Sequence, residues 1–250
     1  MITMADMTER YGNYFQRPKI HKSEDDIKIP YDNLSSEVGI LSPGDRYIFF
    51  GTQKHWALDI WRINLLWQLA KKNVPIHILN SGKRFEQDFK YLLSLQSKVP
   101  HHYFTTEMIP RQKDADITKG LETIKSYPIV WHSDEFVLPT KKVIVCVQDV
   151  SLEEVRNTNY DWINFKEDKI VLIQFVKMPQ LFVSFDDIYS RKGFVFPERL
   201  GSVLGLVKFA SPFNAGKINV QMRRTNYAHR LCTQFDFDWE SLEITPSKGE

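Results

Sequence analysis

The spacing of apolar and polar residues predicts helices and strands in the first part of this 250-residue chain and mostly strands after about residue 140. The apolar run RYIFF (46–50) predicts a strand, and apolar positions at helical spacing over 54–73 predict a helix that is buried on most sides. The run VPIHIL (74–79) predicts a second strand, and residues 81–99 have the pattern of an amphipathic helix.

Each predicted helix has an apolar face formed by positions three and four residues apart. The face of the first helix comprises Trp56, Ile60, Ile63, Trp67 and Ala70. The face of the second comprises Phe85, Phe89, Leu92 and Leu93, with Ser81 expected as its N-cap. Residues 100–140 are rich in proline and predict irregular structure with a short helix near Ile117–Lys125.

The second half of the chain has short apolar runs at close intervals, which are typical of antiparallel strands. These runs are KKVIVCVQDV, DKIVLIQFVKM, QLFVSF, GFVF, VLGLVKFA, KINVQM and FDFDW. We therefore predict an α+β fold class: an antiparallel β-sandwich flanked by helices, with a projecting N-terminal helix. Residues 31–250 are expected to form one globular domain, and residues 1–30 an N-terminal helical arm and connection.

The N-terminal arm is predicted as a short helix that ends at Pro18. One Tyr-rich face of this helix contains Met7, Tyr11, Tyr14 and Phe15. A helix this short is marginal on its own. It needs a surface to lie on, either in its own domain or in a neighbouring subunit, and the second alternative makes these residues candidates for self-assembly.

The segment CTQFDFDWESLEI (232–244) alternates aromatic and acidic residues. The aromatic residues are Phe235, Phe237 and Trp239, and the acidic residues are Asp236, Asp238 and Glu240. On a strand the carboxylates share one face at spacings of about 7 Å, so they need cations from a neighbouring strand or another subunit. The aromatic side is expected to seal the core. The pattern then slips by one position at Leu242, which predicts a bulge or bend near Glu240–Ser241.

Composition and charge narrow the class of protein. Hydrophobic residues make up 42% of the chain, which indicates a globular protein rather than a disordered one. The formal charge of +2 at pH 7 favours self-association and argues against nucleic-acid binding driven by bulk charge. Cys146 and Cys232 are expected to be buried thiols. No pattern of a signal peptide or membrane span is apparent, so a soluble protein of the cell interior is expected.

Gly51 stands between a predicted strand and a predicted helix, where nucleotide-binding turns occur. It is a lone glycine, and neither GxGxxG nor the P-loop motif GxxxxGKS/T is present. A turn without a ligand is the favoured interpretation. The alternative is a nucleotide-binding α/β enzyme, which requires a parallel β-α-β unit over residues 47–79 with an open pocket at Gly51.

Histidines could also form a metal site if His101, His102 and His132 converged with Glu107 or Asp134. No fixed ligand spacing supports such a site, so no metal is predicted.

A basic cluster near the C-terminus contains Arg223, Arg224, Tyr227 and Arg230. Guanidinium groups suit phosphates, and an aromatic ring can stack on a base. The cluster could hold a nucleotide, pair with acidic residues of another subunit, or form a solvated strand end. A viral nucleic-acid-binding or matrix protein that uses these arginines is a further alternative.

Three patches, in this order, resemble the polyhedrins of cypoviruses, the proteins that form viral occlusion bodies. They are MAD at Met4–Asp6, FVFPERLGSVLGLVKFA at Phe194–Ala210, and NYAHRLCTQFDFDWESLEI at Asn226–Ile244. The resemblance implies a β-sandwich with a projecting N-terminal helix that clamps neighbouring subunits into trimers and a crystal.

The same resemblance implies a structural protein that is not an enzyme. Its expected function is to embed and protect virions in an occlusion body that dissolves at alkaline pH. The implied partners are other copies of the chain and virus particles, with no membrane. No cofactor is required, although nucleotides are found between polyhedrin subunits. The implied location is the cytoplasm of an infected cell.

Overall fold

A computed structural model describes the chain over nine ranges: 26–34, 38–52, 56–79, 84–132, 144–151, 170–178, 203–211, 214–224 and 230–247. The predicted arm with Met7, Tyr11, Tyr14 and Phe15 lies outside the described residues, as do Ser81 and Tyr227.

The described strands, in chain order, are β1 (Ile27–Lys28), β2 (Ile40–Leu41), β3 (Arg46–Thr52), β4 (Ile76–Leu79), β5 (Ile129–Trp131), β6 (Ile144–Val150), β7 (Ile170–Met178), β8 (Val203–Ser211), β9 (Asn214–Arg224), β10 (Arg230–Phe237) and β11 (Ile244–Pro246). The described helices are α1 (Ala57–Lys71), α2 (Arg84–Ser97), α3 (His101–Thr106) and α4 (Asp114–Lys125), with a 3-10 turn over Arg111–Lys113. Among these residues no helix is long and apolar enough to span a membrane.

The described strands form one large sheet of nine strands in the order β11-β10-β9-β8-β3-β7-β6-β4-β5, beside a small β1–β2 pair. In sheet order, the successive pairs from β8 through β3, β7, β6 and β4 to β5 are parallel. The strands from β8 to β11 pair antiparallel. The predicted antiparallel β-sandwich is therefore wrong: this is an α/β fold around a single, mostly parallel sheet.

The burial of the central strands explains why the sandwich prediction was wrong. Every residue of β7 except Lys177 is buried, so its run IVLIQFVKM shows continuous apolar character and no alternation. Such runs are typical of parallel strands covered on both faces. The prediction relied on short intervals between apolar runs. However, residues 151–169 separate β6 from β7, which is enough for the crossover that parallel strands require.

The last strands do show the predicted alternation. Phe235 and Phe237 are buried, and the chain then turns before β11 through Leu242, whose φ is 60°. The predicted bend near Glu240–Ser241 is confirmed. Trp239, however, is 47% exposed and does not seal the core.

The first predicted helix is confirmed as α1, which is buried on nearly all sides. The second is confirmed as α2, but its predicted apolar face is wrong in part. Phe85 and Phe89 are 54% and 37% exposed, whereas Asp88 is buried with Leu92. The helix is rotated about its axis so that Asp88 contacts the buried Arg62 of α1. Helix α3 was not predicted, because its sequence HHYFTT has a single buried residue.

Aromatic side chains form the centre of the core between the sheet and α1. Phe49 of β3 stacks on Phe175 of β7 with ring centroids 5.5 Å apart, and Trp61 of α1 lies 5.7 Å from Phe49. Cys146 is buried as predicted, whereas Cys232 is exposed, so the second thiol prediction is wrong.

Gly205 of β8 provides a test of this packing, since it lies opposite Phe49 in the parallel register. A Cβ at position 205 would lie 2.3 Å from Cδ1 of the Phe49 ring. We expect Gly205→Ala to lower the free energy of unfolding by about 1–3 kcal/mol, as overpacking does. In urea denaturation, the loss should shrink when Phe49→Leu is already present. Strictly additive losses would contradict this account.

Candidate functional site

The parallel strands bring several chain segments together at their carboxyl edge. β3 ends at Thr52, just before α1 begins, and α2 begins after β4 at the same edge. β6 and β7 end there at Val150 and Met178. Ligands of open α/β sheets bind in the crevice outside the carboxyl ends of the strands. A ligand site is therefore expected at this edge.

Six charged side chains form a network at this edge, which we call the charged cluster. They are Asp59 and Arg62 of α1, Arg84 and Asp88 of α2, Asp149 of β6 and Lys177 of β7. Three carboxylates meet three cations, so the formal charges cancel.

The deepest pair of the charged cluster joins α1 to α2. Arg62 and Asp88 are each 1% exposed, and the guanidinium donates two parallel hydrogen bonds of 2.7 and 2.9 Å to the carboxylate. Nε of Arg62 also lies 3.5 Å from Asp149. Burial alone would lower the pKa of Arg62, but Asp149 and Asp88 outweigh burial and raise it. Arg62 therefore stays charged inside the protein.

Arg84 forms the outer half of the charged cluster. Its side chain donates to Asp59, lies 3.1 Å from Asp149 and 3.6 Å from Asp88. Lys177 approaches the other oxygen of Asp59 at 2.8 Å. Burial tends to raise the pKa of Asp59, but Arg84 and Lys177 hold it below its usual value. Arg84 and Lys177 are 21% and 40% exposed, so both reach solvent.

An open cleft of about 560 Å³ lies between α2, α3 and the β10–β11 turn, and we call it the aromatic cleft. Its walls include the exposed indoles of Trp56, just before α1, and Trp239, in the β10–β11 turn. Polar groups line it from α2 and α3, among them Gln87, Tyr91 and His102. Large apolar surface next to a few polar groups is the usual composition of a small-molecule site.

His101 is held rigidly in the wall of the aromatic cleft. Its ring stacks on Tyr91 at 4.2 Å, and its backbone N–H donates to the carbonyl of Glu240 at 3.2 Å. Its Nε2 is buried and has no hydrogen-bond partner among the described residues. Burial, with the nearby charge of Lys90 and His102, lowers the pKa of His101 to about 4. The ring is therefore neutral near pH 7.

The predicted basic cluster lies elsewhere on the sheet. The antiparallel register places Arg230 of β10 opposite Arg223 of β9, at the end of β10 that is remote from Trp239. Arg224 closes β9. A role of these arginines in nucleotide or subunit contact stays a prediction.

The predicted acidic row does not form one continuous surface. Asp236 faces Lys217 at 4.0 Å, so a neighbouring strand supplies its cation. Asp238 instead accepts hydrogen bonds from the Ser241 hydroxyl and the Glu240 backbone, which lower its pKa. Glu240 is exposed in the same turn.

The histidines considered as metal ligands are not brought together. His132 lies against His77 across β5 and β4, with ring nitrogens 2.9 Å apart, whereas His101 lies in the aromatic cleft. In the described part of the chain, no group of three or more His, Cys, Asp or Glu side chains is arranged to hold a metal ion.

The strand-to-helix turn at Gly51 departs from the P-loop motif. In that motif a lysine contacts the phosphates and the next hydroxyl binds Mg²⁺. Counted from Gly51, the motif's second glycine, lysine and hydroxyl positions are Trp56, Ala57 and Leu58. A Cβ at position 51 would lie 2.6 Å from Cβ of Leu58, so Gly51 permits close helix packing.

None of the charged-cluster residues was predicted from the sequence. A signal was nevertheless present, because Asp59 and Arg62 interrupt a helix that is apolar on all sides. Charged residues in such positions are almost never buried unless they are paired. Asp149 and Lys177 likewise follow apolar strand runs. The identity of each partner depends on how the strands are ordered in the sheet.

No family model matches the chain, and no curated protein matches it in sequence. Solved structures do match. A DnaB-like replicative helicase, in a structure that describes its interactions with primase, has a TM-score of 0.63 at 7% identity over 83% of this chain. This chain spans 60% of that helicase chain.

Two further structures have a similar arrangement. A solved ATPase domain matches with a TM-score of 0.62 at 8% identity, over 83% of this chain and 86% of that domain. The flagellar accessory protein FlaH from Methanocaldococcus jannaschii matches with a TM-score of 0.50 at 11% identity, over 90% of this chain and 99% of FlaH. At such low identity the likeness is one of fold, and the fold is RecA-like α/β.

These matches correct the polyhedrin interpretation. The chain has the fold of ATPase domains and not that of an occlusion-body protein, so the resemblance based on three short patches is wrong. The prediction of a structural protein that is not an enzyme is contradicted as well, because domains named as ATPase and helicase share this fold. The predicted partners, namely virus particles and copies in a crystal lattice, lose their support with it.

The buried pair of the charged cluster gives a stability test. Asp88→Ala leaves Arg62 buried with a weaker partner, so we expect the free energy of unfolding to fall by about 3–5 kcal/mol. Glu86→Ala, on the exposed side of α2, is the matched control and should change it by less than about 0.5 kcal/mol. Equal losses in urea denaturation of the two variants would show that the pair does not stabilise the fold.

The lowered pKa of His101 gives a pH test. The ordinary pKa is 6.5 and the folded value is about 4. Protonation therefore favours the unfolded chain, and stability should fall as the pH drops from 6.5 towards 4. His101→Gln should remove part of this fall, and His102→Gln should have a smaller effect, because the charge of His102 is the least of the three causes that lower the pKa of His101. Identical pH profiles of wild type and His101→Gln in thermal denaturation would contradict the burial of this ring.

Proposed function

We propose that the chain is a nucleotide-binding α/β protein whose ligand lies at the carboxyl edge of the parallel strands. The base would occupy the aromatic cleft, and the phosphates would point towards Arg84 and Lys177. The single observation that supports this best is the position of two exposed indoles, Trp56 and Trp239, around one cleft beside partly exposed cations.

The two halves of this site are adjacent. Trp56 precedes Asp59 by three residues, which is one helical turn, and Arg84 has the same relation to Gln87 of the cleft. Tyr91, another cleft residue, is close enough to Asp59 and Arg84 for their charges to affect its pKa, which burial chiefly raises. A ligand with a planar end and an anionic end could therefore contact both.

Aromatic stacking supplies the affinity for the base. An aromatic ring that stacks on a base contributes about 1–3 kcal/mol. The volume of about 560 Å³ is in the range of small-molecule sites. The His101 ring is neutral and stacked on Tyr91, so it adds an uncharged aromatic surface to the same wall.

Phosphate contact in this proposal does not depend on a P-loop lysine. Ala57 stands at that position, and among the described residues Arg84 and Lys177 supply solvent-accessible positive charge at this edge. Lys177 uses one described contact, to Asp59, and an ammonium group has three donors. Arg84 has five N–H donors and reaches solvent. The fold of ATPase domains supports the nucleotide class, and the position of these two cations supports their role as phosphate contacts.

Calorimetric titration with ATP, ADP and adenosine tests the proposal. Trp56→Ala and Trp239→Ala should each weaken ATP binding by about tenfold, in line with the loss of one stacking contact. Phe85→Ala removes an exposed aromatic side chain of α2 that does not line the cleft, and it should leave the affinity unchanged.

The phosphate half has its own prediction in the same titrations. Lys177→Ala should weaken ATP binding and leave adenosine binding unchanged. Phosphate release is measured alongside to show whether bound ATP is hydrolysed. The proposal fails if ATP does not bind, or if both tryptophan variants bind ATP as wild type does.

A further inference from the structure

We propose that the guanidinium of Arg84 lies where a divalent metal ion would bind between the carboxylates of the charged cluster. The site consequently excludes such an ion. P-loop ATPases bind Mg²⁺ with a P-loop hydroxyl and an aspartate. Here Leu58 replaces the hydroxyl, and among the described residues of this edge the carboxylates that could take its place are Asp59, Asp88 and Asp149. Their surroundings do not fit Mg²⁺.

Every carboxylate oxygen of the charged cluster already has a cationic partner. One oxygen of Asp59 accepts from Arg84 and the other from Lys177. Both oxygens of Asp88 accept from Arg62.

The two oxygens of Asp149 are divided between Arg62 at 3.5 Å and Arg84 at 3.1 Å. Carboxylate oxygens are the protein ligands that Mg²⁺ prefers, and here none of the six is unpaired.

Arg84 is the centre of this arrangement. Its three nitrogens approach three different carboxylates: Nη2 that of Asp59, Nη1 that of Asp149 and Nε that of Asp88. A single guanidinium thus bridges acidic groups from α1, α2 and β6, as a bound metal ion bridges its ligands. Withdrawing it would leave Asp59, Asp88 and Asp149 with only Lys177 and Arg62 as cationic partners.

The net charge of the cluster also disfavours a divalent ion. With Arg62, Arg84 and Lys177 in place the cluster is formally neutral, and a divalent ion would bring it to +2 in a partly buried site. Buried charge that is not compensated is strongly disfavoured. Removing Arg84 would make the cluster formally negative, since three carboxylates would then face two cations.

The first experiment is a titration of the nucleotide-free protein with Mn²⁺, followed by electron paramagnetic resonance of the free ion. Wild type should show no Mn²⁺ site that depends on Asp149. Arg84→Ala should bind Mn²⁺ at least about tenfold more tightly than wild type, and adding Asp149→Asn should abolish the gain. Lys90→Ala, which removes a cation of α2 outside the cluster, is the matched control and should show no gain.

If Arg84→Ala does not fold, as judged by circular dichroism, Arg84→Gln replaces it, since the amide keeps one donor among the carboxylates. The wild-type titration needs no variant at all. An Asp149-dependent Mn²⁺ site in wild type, or no gain in a folded Arg84 variant, would overturn the inference.

A second experiment rests on the proposed function, because it uses ATP as the probe. The affinity of wild type for ATP should agree within about threefold between a buffer with Mg²⁺ and one with EDTA. A loss of tenfold or more in EDTA would overturn metal independence. Absence of ATP binding in both buffers would instead refute the proposed function, and the Mn²⁺ titration would still decide the role of Arg84.

Discussion

The burial of Arg62 is the constraint on which the rest of the site depends. A guanidinium that is 1% exposed needs carboxylates with matching geometry, and Asp88 and Asp149 supply them from two other elements. This requirement fixes the rotation of α2 against α1. It also explains why Phe85 and Phe89 face solvent although their spacing predicts the reverse.

The same network determines which charged groups lie at the carboxyl edge of the sheet. In a P-loop ATPase, this edge offers a lysine and a metal ion to the phosphates. Here the lysine and hydroxyl positions are Ala57 and Leu58, and Leu58 packs against Gly51 of β3, while Arg84 of α2 and Lys177 of β7 bring positive charge to the edge. The fold is shared with ATPase domains, but in the proposed site the charges that a ligand would meet come from different elements.

The parallel and antiparallel parts of the sheet have different roles. The parallel strands β3, β7 and β6 are covered on both faces and bring the site residues to one edge, whereas the antiparallel strands β9, β10 and β11 extend the sheet sideways. The turn after β10 returns towards α1, where the Asn64 side chain binds the Leu242 carbonyl and the Ile244 amide. Through this turn the antiparallel extension contributes Trp239 to the aromatic cleft.

Local pattern by itself determined the helices α1, α2 and α4, the strands β3 and β4, and the bend after β10, because these features depend on neighbours within a few residues. It did not determine that β6 and β7 lie parallel to β3, since a continuous apolar run is compatible with several pairings. It also missed Asp59, Arg62, Arg84, Asp88, Asp149 and Lys177 as a group. Their association joins positions up to 118 residues apart, and only the order of strands in the folded sheet, which decides which carboxyl ends are neighbours, brings these charges within bonding distance.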